Sequence, residues 1–316
     1  MSASNAASYL ERPCHIRELG GGISNTVLLA ECPEERIVLK QSLGKLRVEQ
    51  EWLSERSRIF REAAALRTLD RLLPAGSVPQ VLREDRENYI LVMSAAPAEA
   101  KMWKSLLFEG SISTATAGRI GSILGMMIAR TWNSPECESL FGDQTVFDQL
   151  RIDPYYRSTA LRHPDLATHF ERLIAASKRR RVSLVHGDWS PKNFLVDGDN
   201  VMAIDFEVIH FGDPSFDAAF LLNHLLLKSY RFPRWRDQFQ SAAQEFWRTL
   251  MEFLPPKCDW FEQATIEHLG CLLLARIDGK SPAEYITEDG LKETIRHAAR
   301  RIIVNPPASV LDVFAC

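Results

Sequence analysis

This chain of 316 residues lacks several features, and each absence removes a class of function. No uninterrupted apolar stretch approaches the roughly 20 residues that a membrane-spanning helix needs. Met1 to Ser8 has no signal-peptide core, so membrane insertion and secretion are disfavoured. The six cysteines, Cys14, Cys32, Cys137, Cys258, Cys271 and Cys316, show no C-x-x-C spacing. They suggest neither a zinc site nor a disulfide framework, and read as reduced thiols in a cytoplasm. Positive charge is not in excess: 38 Lys and Arg face 41 Asp and Glu, for a formal charge of −3. No basic field for nucleic acid follows, and Arg179-Arg180-Arg181 reads as a solvated helix end. There is no internal repeat, no G-x-x-x-x-G-K-[ST] and no G-x-G-x-x-G opening a helix.

An apolar content of 46% is enough to build substantial cores, and the length suits two lobes. Residues through about Met93 read as strand-rich with one long helix. From Pro97 the chain reads as mainly helical apart from short hairpins. Apolar positions recur at three- and four-residue intervals over Ala115 to Trp132, Asp165 to Arg180, Phe216 to Lys228, Trp235 to Leu254, Phe261 to Arg276 and Leu291 to Ile303, which predicts six helices there.

Chemistry is concentrated in His186-Gly187-Asp188-Trp189-Ser190-Pro191-Lys192-Asn193 and, downstream, in Ile204-Asp205-Phe206-Glu207. Ser183 to His186 suits a strand end, and Asp188 to Asn193 a polar loop. Phe194 to Val196 and Val201 to Ile204 read as strands joined by Asp197-Gly198-Asp199-Asn200, a composition that supplies the positive φ angles of a tight hairpin. Antiparallel pairing then sets Asn193 and Asp205 near each other at the open end of the hairpin. Transfer of a γ-phosphoryl group needs positioning, charge neutralisation and a proton acceptor, and H-x-D-x-x-x-x-N with a downstream Asp supplies all three. Asp188 is assigned as catalytic base or hydroxyl-orienting carboxylate, and Asn193 and Asp205 as Mg²⁺ ligands. Glu207 shares a face with Asp205 and is a further metal candidate. His186 is read as holding the loop by hydrogen bonds. Singly, each of these is an ordinary turn or capping residue; the combination favours chemistry.

A centre of this kind predicts upstream parts that bind ATP. Gly20, Gly21, Gly22, Ser24 and Asn25 form a Gly-rich turn before the apolar run Val27 to Ala30, so their backbone is suited to covering phosphates. In Arg36-Ile37-Val38-Leu39-Lys40, Lys40 is placed to reach the α- and β-phosphates, as in the V-A-I-K arrangement. Glu62 falls on the apolar stripe Glu62, Leu66, Leu69, Leu73 of a helix over Ser57 to Leu73, ended by Pro74. A buried carboxylate there needs a cation, and Lys40 is favoured over Arg58, with Glu51 and Glu55 as substitute partners for Lys40. Tyr89 to Met93 reads as a strand running into small residues. Met93, Ser94 and Ala95 are assigned to the adenine, Met93 as an apolar wall and the backbone as hydrogen-bonding edge.

These segments, with Arg61 to Leu66 and Gly212-Asp213-Pro214-Ser215-Phe216-Asp217, resemble the aminoglycoside phosphotransferase and choline kinase superfamily of small-molecule kinases over most of the chain. The resemblance implies an α+β, two-lobed, protein-kinase-like fold. Residues 1–94 would be an antiparallel-sheet nucleotide-binding lobe and 95–316 a mainly helical lobe, with ATP and Mg²⁺ between them. It also implies that Asp217 is a buried brace under the catalytic loop. On the residues alone, Asp213-Pro214 reads equally as the cap and first turn of a helix. Ser190 and Glu207 stand where protein kinases have Lys and Gly, so a protein substrate is not expected. Asp-x-Glu resembles choline, ethanolamine and methylthioribose kinases, Gly-Gly-Ile-Ser-Asn the amino-alcohol kinases, and His-Gly-Asp the aminoglycoside branch.

The acceptor is expected to be a small hydroxyl compound: an aminoglycoside, an amino alcohol or a sugar-like molecule. Phe147 to Arg157 reads as an aromatic, charged loop, for which surface packing is favoured over lining the acceptor pocket. Trp189 is a better pocket candidate, or core. Two other readings compete: a two-metal phosphoesterase on His186, Asp188, Asp205 and His210, which leaves Lys40, Glu62 and the Gly-rich turn without purpose, and a nucleotide-binding pseudokinase. The oligomeric state is left open.

Overall fold

Along a strand, successive side chains point to opposite faces. In β3 (Arg36–Ser42), Ile37 and Leu39 are buried on one face, and Lys40, the residue after Leu39, lies on the other. The computed structural model describes residues 9–10, 13–20, 25–43 and 56–315. These group into two units, Met1–Ala100 with Met202–Glu207, and Lys101–Val201 with Val208–Cys316.

The first unit holds an antiparallel sheet, β1 (His15–Glu18), β2 (Asn25–Glu31), β3, β4 (Val81–Asp85) and β5 (Ile90–Ser94), in the order β1-β2-β3-β5-β4. Register places Lys40 opposite Val27 on β2 and opposite Leu91 on β5. Leu28, Ala30, Ile37, Leu39, Ile90 and Val92 close one core, each large side chain contributing about 1.5–3 kcal/mol on burial. Helix α1 (Arg58–Leu72) buries Ile59, Glu62, Ala63, Leu66 and Leu69, a stripe at three- and four-residue spacing. It ends with the Leu73 N–H on the Leu69 carbonyl, just before Pro74.

One expectation fails in this unit. Cys14 and Cys32 are joined by a disulfide, with Cα atoms 4.4 Å apart. They are the next facing pair beyond His15 and Glu31, the outermost partners of β1 and β2. Antiparallel pairing brings such positions to about 4.5–5.5 Å. Neither cysteine sits in a motif, so only the strand pairing makes them neighbours. Cys137, Cys258 and Cys271 are free thiols.

The second unit is mainly helical. Its strands are β6 (Lys101–Met102), β7 (Ser183–Val185), β8 (Phe194–Asp197), β9 (Asn200–Ala203, whose last residues group with the first unit) and β10 (His210–Gly212). They form the sheet β6-β8-β9 and the antiparallel pair β7-β10. Its α-helices of six residues or more are α2 (Trp103–Phe108), α3 (Thr114–Thr131), α4 (Pro135–Phe141), α5 (Ala167–Arg179), α6 (Ser215–Arg231), α7 (Arg236–Met251), α8 (Trp260–Asp278) and α9 (Asp289–Val304). Helices α3 and α7 approach closely because Gly121 has no side chain. A Cβ there would lie 2.3 Å from the Phe246 carbonyl oxygen.

Residues 148–157 are a wide, π-type helical run, not a loop, and Tyr155 and Tyr156 are buried. The arginine run is not simply solvated: Arg180 pairs with buried Asp213 at 3.3 Å and lies over the Trp260 ring, and Arg181 pairs with Glu138. Among the described residues, no helix is long and apolar enough to cross a membrane.

Candidate functional site

In the first unit, β3 and α1 aim Lys40 and Glu62 at each other, and residues 202–207 bring in Asp205 and Glu207. The Lys40 ammonium lies 2.8 Å from Glu62 and 2.5 Å from Asp205. Arg58, the competing partner for Glu62, instead reaches Glu207 at 3.3 Å. Asn25 also donates to Glu207, at 3.0 Å. Burial works against the charge on Lys40, but Asp205, Glu62 and Glu207 outweigh it and hold the ammonium above its ordinary pKa. Burial pushes Glu62 up to about 7, against the pull of Lys40. Glu62 also accepts the Phe206 N–H at 3.2 Å, which ties the segment after β9 to α1. Asp205 has φ of 69°, a left-handed conformation rare for a residue with a side chain. Strain of this kind gathers at functional sites.

In the second unit, β7 ends at Val185 and the chain turns through His186-Gly187-Asp188. The turn needs glycine: Gly187 has φ of 77°, and a Cβ there would meet the Val208 side chain at 2.8 Å. Asp217, in the first turn of α6, accepts the N–H of His186 at 2.6 Å and of Gly187 at 2.9 Å. Burial pushes its carboxyl up to about 7, against those two donors. His186 Nδ1 accepts the Asp188 N–H, so the imidazole holds the loop from inside. Asp213 accepts the Ser215 N–H and hydroxyl ahead of α6, so the brace and the capping residue are different aspartates.

Asp188 is buried, with Lys192 at 2.9 Å and Arg151 at 3.0 Å from its carboxylate. Burial alone would raise its pKa, but Lys192 and Arg151 prevail and hold it below the usual carboxylate range. The Asn193 amide donates to the Asp188 carbonyl at 2.9 Å, which leaves its own carbonyl oxygen as a hard ligand. Carboxylate and amide oxygens, as on Asp205 and Asn193, are the donors that Mg²⁺ prefers. In the first unit three carboxylates bear on one ammonium, a charge balance that a divalent cation would relieve. Among the described residues, no three His, Cys, Asp or Glu side chains form a group that could hold a metal ion.

Other expected positions come out differently. Gly21, Gly22, Ser24, Glu51 and Glu55 lie outside the described residues, while Gly20 precedes β2 and Asn25 begins it. The Ser94 N–H is donated to the Gln80 carbonyl and the Ala95 N–H to the Arg36 carbonyl, so neither amide is spare for an adenine edge. Met93 is buried in β5. Trp189 is core, its ring 4.7 Å from Phe194. His210 stacks on Phe147 and turns Nδ1 to the Val208 carbonyl, and His186 is spent on its own loop. Arg151, Lys192, His224, Lys228 and Arg276 escaped sequence reasoning. Lys192 lay inside the motif, and Phe220, His224 and Lys228 fall four residues apart on α6, a polar interruption that could have been read.

A model of the phosphotransferase enzyme family matches residues 15–261. A methylthioribose kinase of Exiguobacterium sibiricum (strain DSM 17290) is 24% identical over 270 residues, covering 75% of this chain and 67% of that protein. The structure of amicoumacin kinase hAmiN in complex with AMP-PNP, Ca²⁺ and Ami aligns with a TM-score of 0.63 and 14% identity, over 95% of this chain and 91% of that one. The gentamicin complex of APH(2")-IIa aligns with a TM-score of 0.56 and 16% identity, over 99% of this chain and 98% of that one. At such identities the solved structures bear on the fold alone, a sheet-bearing N-terminal region followed by a helical C-terminal one.

Proposed function

The chain belongs to the phosphotransferase enzyme family, and from that premise we propose that it is an ATP- and Mg²⁺-dependent kinase that moves the γ-phosphate to a hydroxyl of a small molecule. The observation that carries this reading is Lys40, whose ammonium is shared between Glu62 on a helix and Asp205 on a strained turn. A lysine fixed by a helix glutamate, with a metal-binding aspartate beside it, is the arrangement that positions triphosphate in kinases.

Lys40 binds the α- and β-phosphates, and Glu62 keeps its ammonium in place. Gly20, Gly21, Gly22, Ser24 and Asn25 cover the phosphates, and Met93, Ser94 and Ala95 border the adenine. Asp205 and Asn193 would hold Mg²⁺, and Glu207, already bound to Arg58 and Asn25, would add a further carboxylate beside it. When bound, Mg²⁺ neutralises the charge of the β- and γ-phosphates. Asp188 orients the acceptor hydroxyl and takes its proton late, as its lowered pKa and two cationic partners favour. Residues 1–94 form the nucleotide lobe and 95–316 the acceptor lobe. Use of ATP supports a cytoplasmic location; the Cys14–Cys32 bridge stands against it.

The test is an ADP-release screen across amino alcohols, aminoglycosides, pentoses and amino-acid alcohols, run beside ATP titration with and without Mg²⁺. Saturable Mg²⁺-dependent ATP binding and ADP release with one class is the expected result. A folded chain that takes up no ATP would end the proposal.

A further inference from the structure

Two cations in the second unit are buried without a carboxylate against them among the described residues. Lys228, on α6, is 1% exposed, and its one hydrogen bond among the described residues is a long one, 3.4 Å, to the His224 carbonyl. Its ammonium lies over the rings of Tyr285 and Phe108, at 5.2 and 5.6 Å. The Tyr285 hydroxyl is itself buried with no partner. Arg276, on α8, is 8% exposed and binds only neutral oxygens, those of Ser281 and the Tyr155 hydroxyl, while its Nε has no partner. Buried charges are normally paired, because desolvating them alone is costly. The nearby Glu284 is engaged by Lys104 at 2.7 Å.

These cations share neighbours with Asp188, since Tyr155 and His224 feel the charge of both Asp188 and Arg276. Arg151, which grips Asp188, lies 5.8 Å over the Phe220 ring. Tyr155, bonded to Arg276, packs on the same ring at 5.8 Å. His224, one turn further along α6, lies 5.2 Å from Phe220, and Lys228 follows it by another turn. Asp188, proposed to receive the acceptor hydroxyl, is thus held by Arg151 and Lys192, and Arg276 and Lys228 follow through Tyr155, Phe220 and His224. By contrast, a cavity of about 550 Å³ elsewhere in this unit is lined by cations already paired, Arg157 with Asp148 and Arg181 with Glu138.

We propose that Lys228 and Arg276, with His224, form a subsite for an anionic group, a carboxylate or a phosphate, carried by the acceptor alcohol. The inference rests on the kinase reading for the word acceptor, and on unpaired buried charge for the word anionic. It disfavours polyamine acceptors such as aminoglycosides, since Asp188 and Glu284 are both already held by cations. Burial and the neighbouring Lys104 and Arg276 depress the Lys228 pKa to about 7, the cost a bound anion would remove.

The experiment is titration calorimetry of the full-length chain with one scaffold in three charge states, D-gluconate and glucose 6-phosphate, D-glucose, and D-glucosamine, with inorganic phosphate as the minimal anion. Each is repeated on Lys228→Met, which removes an unpaired buried charge and is expected to fold. The anions should bind at least tenfold more tightly than glucose or glucosamine. Lys228→Met should lose about ten- to a hundredfold of anion affinity, the worth of a charge-assisted hydrogen bond, and keep its ATP affinity. Equal or tighter binding of glucosamine, no anion binding at all, or anion affinity unchanged in Lys228→Met would overturn the inference. Anion binding that survives in a chain unable to bind ATP would instead remove the kinase reading and leave the subsite standing.

Discussion

Arg151 grips Asp188 twice over. Its Nη2 lies 3.0 Å from the carboxylate, and its Nε donates at 2.6 Å to the carbonyl of Gly187, the preceding residue. The guanidinium therefore fixes both the charge and the backbone of the loop that carries the proposed base. Asp188→Ala should lower kcat by about 10² to 10⁴, the usual worth of a positioned base. ATP affinity should be nearly unchanged, because Lys40 and Asp205 are untouched. Calorimetric ATP titration beside an ADP-release assay reads both quantities; equal loss of binding and turnover would contradict the division of roles.

Asp205→Ala should behave differently, weakening ATP binding in the presence of Mg²⁺ and leaving metal-free binding less affected. The lysine beside it carries a stability consequence as well. Lys40→Met strands Glu62 as a buried carboxylate without its cation, a change that costs about 3–5 kcal/mol. The double variant Lys40→Met with Glu62→Gln removes both charges and should recover part of that loss. Urea unfolding of the two single variants and the double one measures the coupling, and strictly additive losses would mean that the pair does not act as a unit.

How much of this was legible depended on what each residue type can do alone. The longer helices, Arg58–Leu72, Thr114–Thr131, Ala167–Arg179, Ser215–Arg231, Arg236–Met251, Trp260–Asp278 and Asp289–Val304, announced themselves by apolar spacing, whereas the short Trp103–Phe108 and Pro135–Phe141 did not. Glu62 was readable because a carboxylate on an apolar stripe demands a cation. His15–Glu18 and Val81–Asp85 were not, since both are edge strands whose exposed, charged residues give no alternation. The role of Arg151 was hidden because its wide helical run looked like a loop: Pro154 interrupts the usual spacing, and only the fold brings residue 151 to residue 188. Lys228 escaped because sequence shows a lysine on a helix, whereas its burial without an ion-pair partner among the described residues is a tertiary fact.

The disulfide is open to a direct measurement. It closes a loop of 18 residues across the β1-β2 hairpin, and chain entropy assigns such a link about 3 kcal/mol. Cys14→Ser, or wild-type chain kept in a strong reductant, should melt lower by several degrees, and the two effects should not add. The free thiols of Cys137, Cys258 and Cys271 provide the control. If reductant lowers the melting temperature of Cys14→Ser as much as that of the wild type, the bridge is not the cause.

Stability of the Lys228→Met variant should depend on pH with a defined sign. The ordinary lysine pKa is 10.5, and burial followed by repulsion from Lys104 and Arg276 brings that of Lys228 down to about 7 in the folded state. Between those values the unfolded chain binds the proton and the folded chain releases it. Wild-type stability therefore rises with pH across that window. Below pH 7 both states are protonated and the full penalty is present, on the order of 5 kcal/mol; above 10.5 it is gone. Lys228→Met, similar in shape and without the charge, should stabilise the ligand-free protein strongly at pH 6.5 and far less at pH 10. Urea unfolding of both proteins across that range gives the comparison. A difference that stays constant with pH would mean that Lys228 has found a partner for its charge, and the argument for an anion in its place would go with it.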